Sequence, residues 1–303
     1  MRSRMRLTGV LFFPVTPFAA DGTVDEKTLA THIEQGVAAG PGGVFVACGT
    51  GEFHSLEPGE YERVVRIAVE VTGGRVPVYA GAGGPVALAD RFARAAERAG
   101  ADGLLLLPPY LVTFPPEGLV RYVEQVTAAT RLPLIVYQRG NAVFTPETAA
   151  RIAALPGVTG FKDGTGDLDL MQRIVLTVRS TVGEDFQFFN GMPTAEMTVP
   201  AYRAVGVDLY SSAVFCFAPE VSLAFHRAVG SGDTATAERL LAEFFQPLVA
   251  LRDTVPGYAI SLIKAAVRLR GLDVGGVRPP LVDPSDDHLA ELQKIIDSGL
   301  GQV

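Results

Sequence analysis

A lysine at the end of an apolar run is the residue in this sequence whose chemistry is easiest to foresee. Lys162 closes the run Val158-Thr159-Gly160-Phe161-Lys162 and is one of only four lysines, against 22 arginines. An amine, unlike a guanidinium, can condense with a ketone, and burial lowers its pKa and supplies the neutral nucleophile. We therefore predict that Lys162 forms a Schiff base with a 2-keto acid. The plainer alternative is a lysine that reaches a neighbouring carboxylate such as Asp163.

Two further groups at the ends of apolar runs complement such an amine. Tyr137 ends Leu134-Ile135-Val136-Tyr137, and its phenol can relay protons. Alternatively, it is a rim aromatic with its hydroxyl in water. The run Gly49-Thr50-Gly51-Glu52 follows another apolar segment, so backbone N–H groups near Gly49 and the hydroxyl of Thr50 are predicted to bind a carboxylate. Most Gly-Thr-Gly runs are ordinary turns, and Glu52 is expected to support the loop from beneath.

Other polar residues that end apolar runs are predicted to bind the rest of the substrate. Arg139 can pair with a carboxylate in a bidentate fork, although a surface salt bridge is the commoner fate of an arginine. Asn190-Gly191 and Ser211-Ser212 end two further runs, and the serines offer hydroxyls to a polyhydroxylated substrate. The predicted substrate-binding residues are thus Gly49, Thr50, Arg139, Asn190, Gly191, Ser211 and Ser212.

No metal or organic cofactor is expected, because a protonated imine can replace a metal as the electrophile. The four histidines show no metal-ligand spacing. Asp163, Asp167 and Asp169 are better explained by a solvated loop and a helix start than by a magnesium site. The run Gly81-Ala82-Gly83-Gly84 lacks the full dinucleotide or P-loop fingerprint.

Net charge, the N-terminal sequence and the cysteines indicate which kinds of partner the chain binds and in which cellular compartment it lies. A net charge of −7 argues against a nucleic-acid surface, although a locally basic cleft can still bind an anionic substrate. Arg2, Arg4 and Arg6 precede an apolar segment that superficially resembles a signal peptide, but prolines interrupt it and a first barrel strand explains it equally well. Cys48 and Cys216 are expected to be buried thiols. We therefore expect a cytoplasmic protein with no membrane span.

Short apolar runs recur along the chain, each followed by a turn and an amphipathic segment, and this alternation predicts a (β/α)8 barrel. We place the strands at residues 9–15, 43–47, 76–81, 103–107, 133–137, 158–162, 186–190 and 208–211. Residues 1–215 are predicted to form the barrel and residues 216–303 a helical extension in the same structural unit. Helices in this extension are predicted at residues 218–229, 234–252, 258–269 and 284–298. Reactive groups of such barrels lie at the C-terminal ends of the strands, which is where Lys162 and Tyr137 are placed.

These motifs, in this order and spacing, resemble the dihydrodipicolinate synthase / N-acetylneuraminate lyase superfamily of class I aldolases along nearly the whole chain. The matching runs are Gly9-Val10, Pro14-Val15-Thr16-Pro17-Phe18, Asp21-Gly22, Gly49-Thr50-Gly51-Glu52, Glu117-Gly118-Leu119, Val136-Tyr137 and Gly160-Phe161-Lys162-Asp163. The resemblance implies that Lys162 forms the Schiff base and Tyr137 relays protons. It also implies that the carboxylate-binding loop falls on Gly49 and Thr50, and that the chain forms a homotetramer or homodimer.

Departures from the synthase pattern narrow the expected reaction. The synthases carry two adjacent threonines in the carboxylate loop, where Gly49 takes the first place here, and Leu111 occupies the position of a tyrosine that they share across subunits. Three runs resemble the superfamily's decarboxylating dehydratases: Gln138-Arg139-Gly140-Asn141, Phe161-Lys162-Asp163-Gly164-Thr165-Gly166-Asp167 and Gly191-Met192-Pro193-Thr194-Ala195-Glu196. This implies conversion of 5-dehydro-4-deoxyglucarate to 2,5-dioxopentanoate, CO₂ and water. The alternatives are an aldolase that cleaves a 2-keto-3-deoxy sugar acid to pyruvate, and a barrel that only binds sugar acids.

Overall fold

Eight parallel strands close into a barrel in sequence order, with β1 pairing with both β2 and β8. The computed structural model describes residues 6–303, so Arg2 and Arg4 lie outside the described residues. Every predicted strand is present, and only the ends differ by a few residues. The strands are β1 (Leu11–Phe12), β2 (Gly43–Val46), β3 (Val78–Ala82), β4 (Gly103–Leu106), β5 (Leu134–Gln138), β6 (Val158–Asp163), β7 (Gln187–Asn190) and β8 (Leu209–Ser212).

Helices connect the strands and form the outer layer of the barrel. They are α1 (Glu26–Ala38), α2 (Pro58–Thr72), α3 (Val86–Ala99), α4 (Pro116–Ala129), α5 (Pro146–Ala153), α6 (Leu168–Val182) and α7 (Val199–Ala204). Gly73 and Gly100 end α2 and α3 in the left-handed conformation, which costs a residue without Cβ little. Asp167 accepts a hydrogen bond from the Leu170 N–H and so begins α6, which supports the predicted helix start over a metal site.

The last part of the chain is helical. After β8 follow α8 (Pro219–Ser231), α9 (Thr234–Leu240), α10 (Gln246–Arg252), α11 (Tyr258–Leu269) and α12 (Asp286–Leu300). The predicted boundary at residue 215 would assign α8 to the extension, although α8 follows β8 as the other helices follow their strands. The division into barrel and extension stays a prediction. Within residues 6–303, none of the helices combines the length and the apolar character needed to cross a bilayer.

The single helix predicted over residues 234–252 is interrupted by a π-helical turn. Residues Leu241–Phe245 form this turn, and the Gln246 N–H reaches the carbonyl of Leu241, five residues back. Pro247 supplies the physical reason, because it has no N–H to donate to the carbonyl of Glu243. That carbonyl instead accepts a hydrogen bond from the Ser298 hydroxyl of α12.

The barrel interior is filled by side chains, several of them aromatic. Phe13 stacks on Phe45 with ring centroids 4.6 Å apart, and Phe45 stacks on Tyr79 at 5.0 Å. All three side chains are buried. Offset stacking of this kind adds to the stability that burial of the rings provides. The interior is therefore a packed core below the C-terminal ends of the strands, as expected for this fold.

Candidate active site

Lys162 projects from β6 into the top of the barrel interior. Successive side chains of a strand alternate between its two faces, so Lys162 faces inward whereas Phe161 and Asp163 face the helical layer. The Lys162 Nζ lies 4.1 Å from the centroid of the Phe13 ring and 4.7 Å from that of Tyr137. Only 5% of the lysine is exposed. The amine is thus held between two aromatic faces with almost no access to bulk water.

This lysine pairs with no carboxylate of residues 6–303. Among residues 6–303, none of the ion pairs includes Lys162, and the Asp163 carboxylate points away to bind other groups. The alternative of a lysine paired with Asp163 is therefore wrong. Burial lowers the pKa of Lys162 to about 7, and the nearby positive charge of Arg139 makes a smaller contribution to this lowering. A large fraction of the amine is consequently neutral near neutral pH, as a nucleophile requires.

The depressed pKa of Lys162 predicts a pH dependence. The neutral amine predominates above about pH 7, so the rate at which cyanoborohydride traps pyruvate on Lys162 is expected to rise from about pH 6 to about pH 8 and then level off. An Arg139→Met variant removes a positive charge and should move the midpoint upward. Trapping can be followed by intact-protein mass spectrometry. A midpoint near the ordinary value for lysine in the unmodified chain would contradict this assignment.

Tyr137 lies beside the amine, with its hydroxyl between two partners. The hydroxyl donates a hydrogen bond to the carbonyl of Gly191 at 2.8 Å and accepts one from Arg139 at 3.2 Å. Burial raises the pKa of Tyr137, so the phenol holds its proton at neutral pH. A Cβ built on Gly191 would lie only 2.6 Å from Lys162 Cε, which explains why this position is glycine. The ring of Tyr137 therefore lies against the amine and its phenol carries a proton, so the proton relay predicted for it stays a prediction.

The loop of residues 49–52, hereafter the Gly49 loop, follows β2 at the same end of the barrel. Gly49 is exposed and Thr50 is half-buried, and nothing lies within 4 Å of a Cβ built on Gly49. The Thr16 hydroxyl donates to the carbonyl of Gly51 at 2.7 Å and ties the loop to the segment after β1. The Glu52 carboxylate bonds Lys264 and the Arg278 N–H rather than the loop. The expectation that this side chain hydrogen-bonds the loop from beneath is therefore wrong.

Two predicted substrate-binding residues face the wrong way. The Asn190 amide nitrogen donates to the carbonyl of Ala195 and to the Thr198 hydroxyl, so it holds the loop after β7. The Ser212 hydroxyl donates to the buried carboxylate of Glu196 at 2.5 Å. Both side chains lie in the layer between barrel and helices, and the prediction that they bind substrate is wrong. Adjacent residues of a strand cannot both face the interior, and Ser211 is the one that lines the cavity with Lys162.

A buried polar network, missed from the sequence, lies behind the two reactive side chains. The Asp163 carboxylate accepts hydrogen bonds from the Gln138 amide at 2.9 Å, from the Thr165 hydroxyl at 2.7 Å and from the Tyr202 hydroxyl. The carbonyl of Asp163 accepts the Gly191 N–H at 2.6 Å. These bonds hold the ends of β5, β6 and β7 in register. Strand alternation could have indicated that Asp163 faces outward, but its partner on α7 gave no signal.

The features carried by the described residues fit one known family. A model of the dihydrodipicolinate synthetase family matches residues 6–298. The chain belongs to the dihydrodipicolinate synthetase family. No group of three or more His, Cys, Asp or Glu side chains suited to holding a metal is present between residues 6 and 303.

Relatives within this family carry a specific name. One from Streptomyces avermitilis, named probable 5-dehydro-4-deoxyglucarate dehydratase 1, is 59% identical over 292 residues, covering 96% of this chain and 93% of its own. One from Paracidovorax citrulli, named probable 5-dehydro-4-deoxyglucarate dehydratase, is 45% identical over 291 residues, covering 96% and 95%. The chain is therefore similar to these proteins along nearly its whole length.

Solved structures of the dihydrodipicolinate synthetase family share the barrel. A dihydrodipicolinate synthase from Oceanobacillus iheyensis superposes with a TM-score of 0.90 over 98% of both chains at 23% identity, which shows the common fold. A prophage protein of the dihydrodipicolinic acid synthase family from E. coli K12, in complex with pyruvate, gives a TM-score of 0.86 at 26% identity, covering 98% of this chain and 99% of its own.

The opposite orientations of Ser211 and Ser212 predict opposite effects of mutation. Ser212→Ala removes the hydrogen bond to buried Glu196 and should lower the free energy of unfolding by about 1–3 kcal/mol, because a buried polar group loses its partner. Ser211→Ala should change the free energy of unfolding by less than about 0.5 kcal/mol. It should raise the KM for the substrate, because the Ser211 side chain lines the cavity that contains Lys162. Urea unfolding and steady-state kinetics measure the two effects. Equal effects of both variants on KM would contradict the orientations described.

Proposed function

We propose that this chain is a decarboxylating dehydratase that converts 5-dehydro-4-deoxyglucarate to 2,5-dioxopentanoate, CO₂ and water through a Schiff base on Lys162. One observation carries the chemistry: the buried amine of Lys162, which pairs with no carboxylate in the described part of the chain, lies against the phenol-bearing ring of Tyr137. The names of the relatives that are 45–59% identical support the choice of substrate. No metal or organic cofactor enters the proposed reaction.

The first half of the reaction is the loss of water. The neutral amine of Lys162 attacks the ketone carbon next to the terminal carboxylate, and expulsion of the carbonyl oxygen as water gives an iminium ion. The iminium acidifies the neighbouring CH₂ group, whose proton is removed to give an enamine. The enamine nitrogen then pushes electrons through the carbon chain, and the hydroxyl on the next carbon leaves as water. Tyr137 donates and accepts the protons in these steps.

The second half is the loss of CO₂. Dehydration leaves a carbon–carbon double bond conjugated with the iminium, and this system accepts the electron pair of the bond to the distal carboxylate. Cleavage of that bond releases CO₂ and leaves a dienamine that carries an enol. Protonation of the enamine carbon re-forms the iminium, and protonation of the enol carbon with loss of the O–H proton gives the aldehyde. Hydrolysis of the re-formed iminium consumes the water that its formation released. The net change is loss of one water and one CO₂ from each substrate molecule.

The described geometry supports a division of labour among the substrate-binding groups. Thr50 and the backbone N–H groups of the Gly49 loop are proposed to hold the carboxylate beside the ketone. Arg139 forms no ion pair with a carboxylate among the described residues, and its guanidinium contacts the Tyr137 hydroxyl, so it is proposed to bind the distal carboxylate. Ser211 is proposed to bind a substrate hydroxyl. Gly191 contributes the space and the carbonyl that the reactive groups need.

The deciding experiment supplies 5-dehydro-4-deoxyglucarate to the purified protein and measures CO₂ and 2,5-dioxopentanoate. Borohydride added during turnover should reduce the iminium to a stable secondary amine, and peptide mass mapping should place the adduct on Lys162. Release of pyruvate without CO₂ would instead indicate an aldolase. Tight binding without any product would indicate a barrel that only binds sugar acids. An adduct on another lysine would overturn the role of Lys162.

We also propose that the chain forms a homodimer or homotetramer. Tyr110, Leu111 and Val112 follow β4 as an exposed apolar segment beside the mouth of the barrel, and Leu111 is fully exposed in the left-handed conformation. A second copy that covers this segment would remove its apolar surface from water. Light scattering after gel filtration is expected to show a dimer or tetramer that Leu111→Asp weakens. A wild-type monomer would contradict the proposal.

The proposed compartment is the cytoplasm. Both cysteines, Cys48 and Cys216, are buried free thiols. Unpaired cysteines are common where the environment is reducing. Fractionation of cells that produce the tagged protein tests the location.

A further inference from the structure

A buried ion pair joins the Gly49 loop to α11, one of the helices in the last part of the chain. The Lys264 Nζ donates a hydrogen bond to the Glu52 carboxylate at 2.9 Å, although 212 residues separate the two in sequence. Both side chains are completely buried. The same amine donates to the carbonyl of Gly276 at 2.6 Å, and the other carboxylate oxygen of Glu52 accepts the Arg278 N–H at 3.0 Å. The carboxylate is thus fixed by two separate parts of the C-terminal chain.

Stability alone does not explain a pair of this kind. Removing two charges from water costs free energy that their mutual attraction barely offsets, and apolar residues of similar volume often serve a fold as well or better. The ion pair between Arg270, directly after α11, and Glu220 of α8 is by contrast partly exposed, with 37% and 48% of the two side chains accessible. The sequence uses lysine only four times, yet places one of them at this buried position.

Glu52, the member of the pair that belongs to the Gly49 loop, is also the last residue of that loop. Glu52 lies in the left-handed conformation with φ of 54°, which a residue with a side chain adopts only when its surroundings hold it there. The Glu52 N–H bonds the carbonyl of Gly49, and the Phe53 N–H bonds the carbonyl of Cys48. The direction of the loop N–H groups and of the Thr50 hydroxyl therefore depends on where Glu52 is held.

We propose that the pair of Glu52 and Lys264 positions the Gly49 loop for the substrate carboxylate, so that α11 controls recognition of 2-keto acids without touching them. This inference rests on the proposed function, in which the loop binds the carboxylate beside the ketone. Glu52 and Lys264 are positioning residues: their side chains bond each other and the C-terminal chain, and the chemistry at Lys162 does not pass through them. Their loss should weaken the preference for a charged ligand over a neutral one.

The test compares two small ketones in the double variant Glu52→Gln/Lys264→Met, which removes both charges together and leaves no unpaired buried ion. Pyruvate carries the carboxylate, and pyruvamide is its neutral isostere. The concentration of each that gives half-maximal borohydride trapping on Lys162 is measured by mass spectrometry. The variant is expected to need about tenfold more pyruvate, as loss of a well-directed hydrogen bond to a charged group predicts, and an unchanged concentration of pyruvamide. Glu220→Gln, which breaks the partly exposed pair between α8 and Arg270, is the matched control and should behave as wild type for both ketones.

Several outcomes are informative. A folded double variant that keeps the wild-type preference for pyruvate would overturn the inference, as would equal losses for both ketones. If the double variant does not fold, Glu52→Met/Lys264→Met carries the same comparison, because it replaces both charged side chains with apolar ones of similar length and leaves no unpaired buried ion. A wild-type protein that traps pyruvate but releases no CO₂ from 5-dehydro-4-deoxyglucarate would refute the proposed reaction and leave this test intact.

Discussion

Replacing Lys162 with methionine is expected to abolish CO₂ release and borohydride trapping, with a fall in kcat on the order of 10⁴-fold or more, since the covalent route depends on this one group. Methionine has a similar length and is apolar, so it fits the space between the Phe13 and Tyr137 rings. Lys162→Arg should be equally inactive, because a guanidinium keeps the charge but does not form the imine. Single-turnover assays with each variant measure the loss.

A measurement of thermal stability distinguishes loss of the reactive amine from unfolding of the Lys162 variants. The Lys162→Met protein is expected to unfold at a higher temperature than wild type near neutral pH, because it no longer buries an amine whose pKa burial has depressed. A variant that is both inactive and more stable would show that the lysine is kept for chemistry at a cost in stability. Full turnover by either Lys162 variant would refute the Schiff-base mechanism.

Removal of the Tyr137 hydroxyl is expected to have the second largest effect. Tyr137→Phe keeps the ring against Lys162 but removes the group that donates to the Gly191 carbonyl, so kcat should fall by about 10²–10⁴-fold, the usual contribution of a positioned acid or base. Trapping of pyruvate at saturation should still occur, only more slowly, because the amine is intact. Rapid-quench measurements of imine formation and CO₂ release locate the affected steps.

The Tyr137 prediction has a sharp alternative. If the phenol only packs at the rim, Tyr137→Phe would change KM slightly and leave kcat within about threefold of wild type, a loss well below that expected for an acid or base. Arg139→Met tests the same hydroxyl from its other side, since the guanidinium donates to it at 3.2 Å. An unchanged kcat in Tyr137→Phe would remove the tyrosine from the mechanism, while the role of Lys162 would stand.

The barrel was predictable from the sequence because apolar runs such as 104–107 repeat with turns and helices at a regular spacing. Local pattern also placed Lys162 and Tyr137 at the ends of neighbouring strands, where the structure finds them, 4.7 Å apart from amine to ring. Their catalytic roles remain predictions. The errors arose where the two faces of a strand had to be told apart. Asn190 and Ser212 end strands as Lys162 nearly does, yet their side chains face the helical layer.

Contacts between distant parts of the chain could not be predicted from local pattern. The hydrogen bond between Tyr202 and Asp163 depends on how α7 packs behind β6. No sequence pattern around either residue indicates that the other is its partner. The pair of Glu52 and Lys264 is a stronger case, because each residue alone resembles an ordinary surface charge. Their complete burial emerges only when the C-terminal helices pack against the barrel.

The stacked rings also bear on the order in which products leave. Phe13, Phe45 and Tyr79 form a stack of buried rings that begins 4.1 Å from Lys162 Nζ, so side chains close the barrel on that side of the amine. We therefore expect substrate to arrive, and products to depart, at the C-terminal ends of the strands. In the proposed reaction CO₂ forms while the remaining carbon chain is still bound to Lys162, so CO₂ is expected to leave first and 2,5-dioxopentanoate last.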